Sequence, residues 1–259
     1  MKIGNKVFSG YTYVMAIINL TPDSFWQDSR VTSDGALFAA ERAIKEGAAL
    51  LDLGVQSTRP GYSEVPAQVE ISRLEKPLSA ILSHFDIPVS VDTYMPETAR
   101  FALEAGAHMI NDVRGLKSEG MADEISKAGA SVCIMHNAPS QVSGDLFAEV
   151  KKFLSAQAEY ALSRGIERDR ICLDGGIGFA KSREQNLELL KGYASLSSLG
   201  YPLLLGASRK SLFGGQPSER LEATLASTRQ AARDGVLFVR VHDVKENVTE
   251  IEKVYENKR

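Results

Sequence analysis

The 259-residue sequence predicts an α/β protein, a (β/α)8 TIM barrel that forms a single domain over residues 1–259. Short β-branched runs alternate with longer segments that carry apolar residues at helical spacing, from one end of the chain to the other. Each strand-plus-helix unit averages roughly 30 residues, and eight such units close a barrel. An open doubly wound sheet is the competing architecture, although such sheets usually have fewer repeats and a glycine-rich first turn.

Eight short apolar runs are the predicted strands. In chain order they are Tyr13–Ile18, Leu50–Leu53, Pro88–Val91, His108–Asn111, Ser131–Met135, Arg170–Leu173, Pro202–Leu205 and Leu237–Val241. Glycines stand shortly before six of these strands and are typical of helix C-termini, because glycine adopts the left-handed conformation without a Cβ penalty. These glycines are Gly47, Gly106, Gly129, Gly165, Gly200 and Gly235.

The composition excludes several classes of protein. Lys and Arg together number 30 and Asp and Glu 33, and this net charge of −3 argues against a dedicated nucleic-acid binder. The two cysteines, Cys133 and Cys172, are too few for a disulfide scaffold and are expected to be buried thiols in a reducing cytoplasm. The longest apolar run, Tyr13–Ile18, is too short to span a bilayer, so no membrane association is expected. The residues after it do not resemble a signal-peptide cleavage site.

A polar or charged side chain follows every predicted strand. In a parallel barrel all eight strand ends lie on one rim, where active sites are built, so this pattern predicts a site at the rim. The rim groups, in chain order, are Asn19, Asp52, Asp92, Asn111 with Asp112, His136, Asp174, Ser208 to Lys210, and Arg240 with His242.

Three aspartates and an asparagine of the rim suit a planar heterocycle with amino and ring N–H edges. Carboxylates accept hydrogen bonds and an amide both accepts and donates them, and the residues concerned are Asp52, Asp92, Asp174 and Asn111. An aspartate at a strand end can also cap the next helix, but four capping residues in these positions are improbable.

Arg209, Lys210, Arg240 and His242 form a predicted cationic group on the last two strand ends, where barrels commonly hold anions. The alternation of side chains along a strand turns Arg240 into the barrel, and an inward arginine near the mouth needs an anion. The alternative is that these residues are solvated surface charges. His136 is expected either to line the site or to be a satisfied structural histidine.

With these residues the sequence resembles the dihydropteroate synthases of the pterin-binding barrel superfamily, from about Met15 to Val244. Each shared motif is short, but together they form an ordered and specific series. The motifs are Met15–Phe25, Asp52–Gly54 with Ser57–Gly61, Ser90–Tyr94, Ile110–Val113, Asp174–Phe179, Ser208–Ser211 and Arg240–Val244.

The resemblance implies a transferase of folate biosynthesis. Members of this family join 6-hydroxymethyl-7,8-dihydropterin diphosphate to para-aminobenzoate, releasing pyrophosphate and forming 7,8-dihydropteroate. The resemblance also implies Mg²⁺ as cofactor, small-molecule substrates rather than nucleic acid or membrane, a cytoplasmic location and a homodimer.

The resemblance further assigns a role to each candidate site residue. The pterin-binding residues would be Asp52, Asp92, Asn111, Met135, Asp174, Gly178 and Lys210. The diphosphate-binding residues would be Asn19, Arg59, Arg240 and His242, with Asn19 also touching the metal. The aminobenzoate pocket would be shaped by Thr58, Pro60, Phe179 and Ser211. The catalytic residues would be Arg59, Lys210, Arg240 and His242.

Three departures from the family's pattern motivate a second hypothesis. The first lid loop reads Trp26–Asp28 where the family has Ser-Asp-Gly, so a glutamine replaces the lid aspartate unless the next residue shifts into its place. The second lid begins with Val55 and Gln56 instead of Gly-Glu, and Gly175 replaces a proline. The first two departures fall in catalytic loops and favour, as the alternative, a pterin-binding paralogue with lost or altered synthase activity. A methyltetrahydrofolate methyltransferase is less favoured, because methyl transfer has no pyrophosphate to accommodate.

Overall fold

A short antiparallel hairpin, β1 (Lys2–Ile3) and β2 (Lys6–Val7), precedes a closed barrel of eight parallel strands. The computed structural model describes residues 1–20, 33–56, 64–138 and 141–257. The barrel strands are β3 (Tyr13–Asn19), β4 (Leu50–Gly54), β5 (Val89–Asp92), β6 (Met109–Asp112), β7 (Ser131–Met135), β8 (Ile171–Asp174), β9 (Leu203–Leu205) and β10 (Phe238–Val241). The predicted barrel and its eight strands are confirmed, with strand bounds that differ by at most one residue at either end.

A helix follows each barrel strand, which is the alternation that the sequence predicted. The helices are α1 (Ser33–Lys45), α2 (Ala67–His84), α3 (Pro96–Glu104), α4 (Met121–Lys127), α5 (Leu146–Ser163), α6 (Arg183–Lys191), α7 (Leu221–Arg233) and α8 (Val244–Glu256). All six glycines predicted to end helices have positive φ. None of the helices in the described ranges combines the length and the apolar character that a membrane crossing requires.

The alternation of side chains along each strand sorts the apolar residues of the barrel into two cores. Outward-facing residues such as Val14 and Val89 pack with the helices in a continuous outer core. Inward-facing residues such as Met15 form an inner core inside the barrel. Cys133 and Cys172 belong to the inner core as buried free thiols, which confirms the predicted burial of both.

The hairpin packs into the N-terminal end of the barrel, and the sequence analysis did not predict it. Ile3 is fully buried and Phe8, which follows β2, is 5% exposed; both belong to the inner core. The ring of Phe8 packs edge-on against Tyr13 and Phe238, with ring centroids 4.9 and 5.2 Å away. The lower half of the barrel is therefore filled mainly with apolar side chains, and the Ser131 hydroxyl at the start of β7 donates to the Lys2 carbonyl oxygen of the hairpin.

Ile3 and Phe8 together are called the apolar plug, and replacing Phe8 with alanine tests its contribution to stability. We expect Phe8→Ala to lower the free energy of unfolding by about 3–5 kcal/mol, because the removed ring leaves a cavity between Tyr13 and Phe238. Val7→Ala is the matched control, since Val7 is 72% exposed and its truncation is expected to cost less than about 0.5 kcal/mol. Urea unfolding followed by circular dichroism measures both, and equal losses in the two variants would contradict the plug.

Candidate active site

The C-terminal ends of β3–β10 bring the predicted site residues to one end of the barrel, here called the mouth. These residues are the last inward-facing ones of their strands or lie just after them. They are Asn19 on β3, Asp52 on β4, Asp92 on β5, Asn111 on β6, Met135 on β7, Asp174 on β8, Lys210 after β9, Arg240 on β10 and His242 just after β10. The clustering that the rim pattern predicted is therefore present among the described residues.

Arg240 lies between two buried carboxylates at the centre of the mouth. Its Nε donates to Asp52 Oδ2 at 2.6 Å, and its Nη2 donates to Asp92 Oδ2 at 2.7 Å. Asn111 Nδ2 donates to the same oxygen of Asp52 at 3.2 Å. The inward direction predicted for Arg240 is thus confirmed, and two carboxylates of the chain itself supply the anion that such an arginine needs.

The second oxygen of each of these aspartates is buried and has no hydrogen-bond partner in the described part of the chain. These atoms are Asp52 Oδ1 and Asp92 Oδ1. Burial raises the pKa of Asp92 above its ordinary value; the Arg240 guanidinium lowers this pKa, and the Asp52 carboxylate raises it further. Buried polar atoms without partners are uncommon in folded proteins, so both oxygens are suited to accept N–H groups from a ligand.

Asp174 is held in place by the turn that follows β8. Its Oδ1 accepts from the Gly176 N–H at 2.7 Å and from the Tyr193 hydroxyl at 3.0 Å. The Tyr193 oxygen in turn accepts from the Gly175 N–H at 2.9 Å. A proline at position 175 would lack that N–H, so the departure from the family's pattern at Gly175 is accompanied by an additional hydrogen bond.

Lys210 reaches the mouth from the segment after β9. Its Nζ donates to the carbonyl oxygen of Ile177 and lies 4.6 Å from the centroid of the Phe179 ring. Burial lowers the pKa of Lys210 to about 8, an effect that the Asp174 carboxylate partly offsets. Gly178 has a φ of +84°, and a Cβ there would lie 2.9 Å from Lys210 Cδ, so this approach requires glycine.

Asn19 and His242 line one cavity of about 210 Å³ beside α1. The backbone N–H of His242 donates to Ser208 Oγ at 3.2 Å, and the same oxygen lies 3.0 Å from His242 Nδ1. These two bonds fix the position of the imidazole. The cavity lies between β3 and α1, on the side of β3 that carries the outward-facing residues Ala16 and Ile18.

Arg209 does not belong to the cationic group, and that part of the prediction is wrong. Its Nε and Nη2 donate to the two carboxylate oxygens of Asp243 at 2.8 and 2.5 Å. A bidentate pair of this kind compensates the charge of the guanidinium and fixes its direction. Of the predicted cationic group, Lys210 and Arg240 are therefore the lysine and arginine at the mouth, and His242 follows Arg240 at the end of β10.

Three further predicted site residues, Met135, Phe179 and Ser211, lie in the described part of the chain. Met135 is buried in a small apolar cluster with Tyr94 and Val113, and Phe179 packs against this cluster. Ser211 is exposed at the start of a short 3-10 turn after Lys210.

Part of the predicted site lies outside the described residues. This applies to Thr58, Arg59 and Pro60 and to the first departure, Trp26–Asp28. The second departure is described: Val55 is buried and its carbonyl oxygen accepts from Arg73 at 3.0 Å. Gln56 Oε1 accepts from the Tyr94 hydroxyl at 3.4 Å.

Two residues of the site, Tyr193 and Lys181, were not predicted from the sequence. Tyr193 fits the apolar spacing of a helical segment, and nothing in that pattern indicates that its hydroxyl reaches Asp174. Lys181 resembles a surface lysine in the sequence, but it is 9% exposed and bonded to His136 Nδ1. His136, for which two interpretations were open, is 3% exposed and packs edge-on against Phe153, which is the structural alternative.

The chain is similar to known proteins in both sequence and structure. The family described as "Pterin binding enzyme" matches residues 15–242. The chain is 44% identical over 255 residues to a dihydropteroate synthase of Streptococcus pyogenes, covering 95% of this chain and 96% of that protein. It is similar to the dihydropteroate synthase of Clostridium difficile, solved in the presence of pteroic acid, with a TM-score of 0.94, 42% identity and 97% and 98% coverage. It is also similar to the Xanthomonas albilineans enzyme, solved with 4-aminobenzoic acid, with a TM-score of 0.92, 36% identity and 96% and 93% coverage.

Replacing Arg240 with leucine leaves Asp52 and Asp92 buried without their cation. We expect the free energy of unfolding to fall by about 3–5 kcal/mol, measured by urea unfolding. A carboxyl group whose pKa is raised in the folded state makes the protein less stable as the pH rises through that pKa. The loss of unfolding free energy in Arg240→Leu, relative to wild type, is therefore expected to grow from about pH 5 to about pH 8.

Arg164→Leu is the control for this experiment. Arg164 forms an exposed ion pair with Asp123, so its removal is expected to change stability little at either pH. A deficit of Arg240→Leu that is the same at both pH values would contradict the burial of an uncompensated carboxylate.

Proposed function

Because this chain belongs to the dihydropteroate synthases of the pterin-binding enzyme family, we propose that its barrel mouth joins 6-hydroxymethyl-7,8-dihydropterin diphosphate to para-aminobenzoate, with release of pyrophosphate. The observation that carries this proposal is the floor formed by the buried Asp52, Asn111 and Asp174 with Asp92, whose side chain is 9% exposed; two carboxylate oxygens of this floor lack a donor in the described residues. A pterin presents amino and ring N–H groups along one edge, and acceptors of this kind bind them.

The pterin ring fits between polar and apolar parts of the mouth. Asp174 is directed by the hydrogen bonds of its own turn, and Lys210 places a donor on the same side. Met135 offers a flat apolar contact to a ring face, and Gly178 leaves room beside Lys210. These contacts would hold the ring in one orientation, with its methylene diphosphate arm directed toward the cationic group.

Arg240 would contribute to the binding of both parts of the substrate, the pterin and the diphosphate. In the free chain its guanidinium compensates Asp52 and Asp92, which are the acceptors proposed for the pterin. The N–H groups of a pterin would bind the free Oδ1 atoms of these carboxylates, while the guanidinium keeps its bonds to the two Oδ2 atoms and offers its remaining N–H groups to the diphosphate. One residue would thus bind the diphosphate and keep the pterin acceptors in place.

The diphosphate would be held by Arg240, His242 and Asn19, together with Arg59 of the second loop. In the described residues no cluster of three or more His, Cys, Asp or Glu side chains is arranged to hold a metal ion. Mg²⁺ is commonly bound through substrate phosphates with only one or two protein oxygens, and the Asn19 amide oxygen fits that pattern. When bound, Mg²⁺ would stabilise negative charge on the leaving diphosphate.

The reaction exchanges one bond for another at the methylene carbon. The C–O bond breaks and its electron pair leaves with the diphosphate, whose growing charge Arg240 and His242 stabilise. The lone pair of the amine nitrogen forms the new C–N bond, and that nitrogen then loses one proton. Such a step needs a neutral amine and the exclusion of water more than it needs a strong base.

The amine would enter against Phe179 and Ser211, with Thr58 and Pro60 closing the pocket from the second loop. Phe179 offers an aromatic face for the benzoate ring, and Ser211 is an exposed hydroxyl near its other end. A cytoplasmic location, on the basis of the two cysteines, and a homodimer, on the basis of the family resemblance alone, are also part of the proposal. Sedimentation equilibrium tests the dimer.

Pyrophosphate release from purified protein tests the activity directly. We expect release with the pterin diphosphate, para-aminobenzoate and Mg²⁺, and none when the amine is omitted or when the metal is removed with a chelator. Calorimetry of pterin binding accompanies the assay. Binding without release under the complete conditions would contradict the synthase and favour the pterin-binding paralogue.

Replacing Lys210 with methionine tests its role in the pterin pocket. We expect the Kd for a pterin ligand to rise about tenfold at neutral pH, which corresponds to about 1.4 kcal/mol. Because burial lowers the pKa of Lys210 to about 8, the wild-type affinity is expected to decline above that pH and the variant's to stay flat. Lys191→Met on the exposed surface of α6 is the control, and unchanged affinity in Lys210→Met would remove Lys210 from the pocket.

A further inference from the structure

The ammonium group of Lys181 binds the turn that follows β8 through hydrogen bonds. Its Nζ lies 3.0 Å from the Gly176 carbonyl oxygen, 3.0 Å from the Phe179 carbonyl oxygen and 2.9 Å from His136 Nδ1. An ammonium group has three N–H donors, and these three acceptors use all of them. Lys181 is 9% exposed, so it makes these bonds away from bulk water, where they are stronger.

The backbone conformation of this turn is intrinsically unfavourable, because it includes several residues with positive φ. Gly176 and Gly178 have φ values of +71° and +84°, and between Phe179 and Lys181 the non-glycine residue Ala180 has a φ of +47°. A residue with a Cβ rarely adopts this left-handed conformation, and it persists only where surrounding bonds enforce it. The bond from Lys181 to the Phe179 carbonyl lies at the peptide unit that links Phe179 to Ala180.

His136 completes the arrangement as a neutral acceptor. Its backbone N–H donates to the Asp174 carbonyl oxygen at 2.8 Å, and its ring packs edge-on against Phe153. Burial, followed by the positive charge of Lys181, lowers the pKa of His136 to about 3. The imidazole is therefore uncharged at neutral pH, and Nδ1 is free to accept from the ammonium group.

We infer that Lys181 is a positioning residue for the amine substrate. It fixes the 176–180 turn so that the Phe179 ring stands beside Lys210 as one wall of the aminobenzoate pocket. The inference rests on the role proposed above for Phe179. Lys181 itself lies behind the turn and contacts neither substrate, so its removal affects the reaction through the placement of the ring.

Steady-state kinetics of Lys181→Met in the full chain with Mg²⁺ test this role. The substitution keeps the aliphatic length and removes the three donors. We expect KM for para-aminobenzoate to rise at least about fivefold, with kcat within about twofold of wild type. We expect the Kd of a pterin ligand, measured by calorimetry, to rise by a smaller factor than this KM, because the turn also directs Asp174 but Asp52, Asp92 and Asn111 lie on other strands.

Two further variants separate the possible outcomes. Lys117→Met removes an exposed lysine that bonds to the Asn137 carbonyl oxygen and also lies near His136, and it is expected to leave all three constants unchanged. Phe179→Leu is expected to raise KM for the amine, and the Phe179→Leu/Lys181→Met double variant to be no worse than Phe179→Leu alone, since the tether acts through the ring.

The same data identify which claim fails. If Phe179→Leu raises KM for the amine and Lys181→Met matches Lys117→Met, the positioning role is wrong while the proposed pocket stands. If Phe179→Leu leaves that KM unchanged, the proposed role of Phe179 fails and the inference fails with it. Should Lys181→Met not fold, Lys181→Gln is measured instead. Its amide has only two N–H donors on a side chain one bond shorter, so KM for the amine is expected to rise there too, and an unchanged KM overturns the inference.

Discussion

Arg240 reaches across the mouth of the barrel from β10 and compensates the carboxylates of Asp52 on β4 and Asp92 on β5. Transferring two carboxylates from water to a protein interior is costly, and the guanidinium between them is what allows both to be buried. Because the three residues come from strands on different sides of β3, they also fix the relative position of the strand ends. The acceptors proposed for the pterin are therefore in place before any ligand arrives.

The interior of the barrel is filled in two different ways. The lower half is filled by apolar side chains, including Ile3 and Phe8 of the N-terminal segment. The upper half is filled by polar groups that satisfy one another, such as Asp52 with Arg240. In that half Asp52 Oδ1 and Asp92 Oδ1 are buried carboxylate oxygens without donors in the described residues, so it is suited to a polar ligand.

Much of this arrangement was predictable because strand alternation and strand ends are local properties. The alternation about Arg240 gave its inward direction, and the polar residues after each strand gave the mouth. The partner of Arg240 was not predictable, since Asp52 and Asp92 lie far from it in the sequence and were assigned to a ligand. Two-residue strands such as β1 carry no periodicity, so the hairpin was missed. The bonding of Lys181 depends on a turn whose geometry no spacing rule describes.

The apolar plug at the foot of the barrel joins segments that are far apart in the sequence. Phe8 precedes β3, the first strand of the barrel, and its ring partner Phe238 lies in β10. The same strand, β10, supplies the pairing with β3 that closes the ring. Contacts between such distant segments form late, since a long loop must close before they contribute stability. During synthesis β3 and the plug thus keep apolar surface uncovered until β10 has emerged from the ribosome.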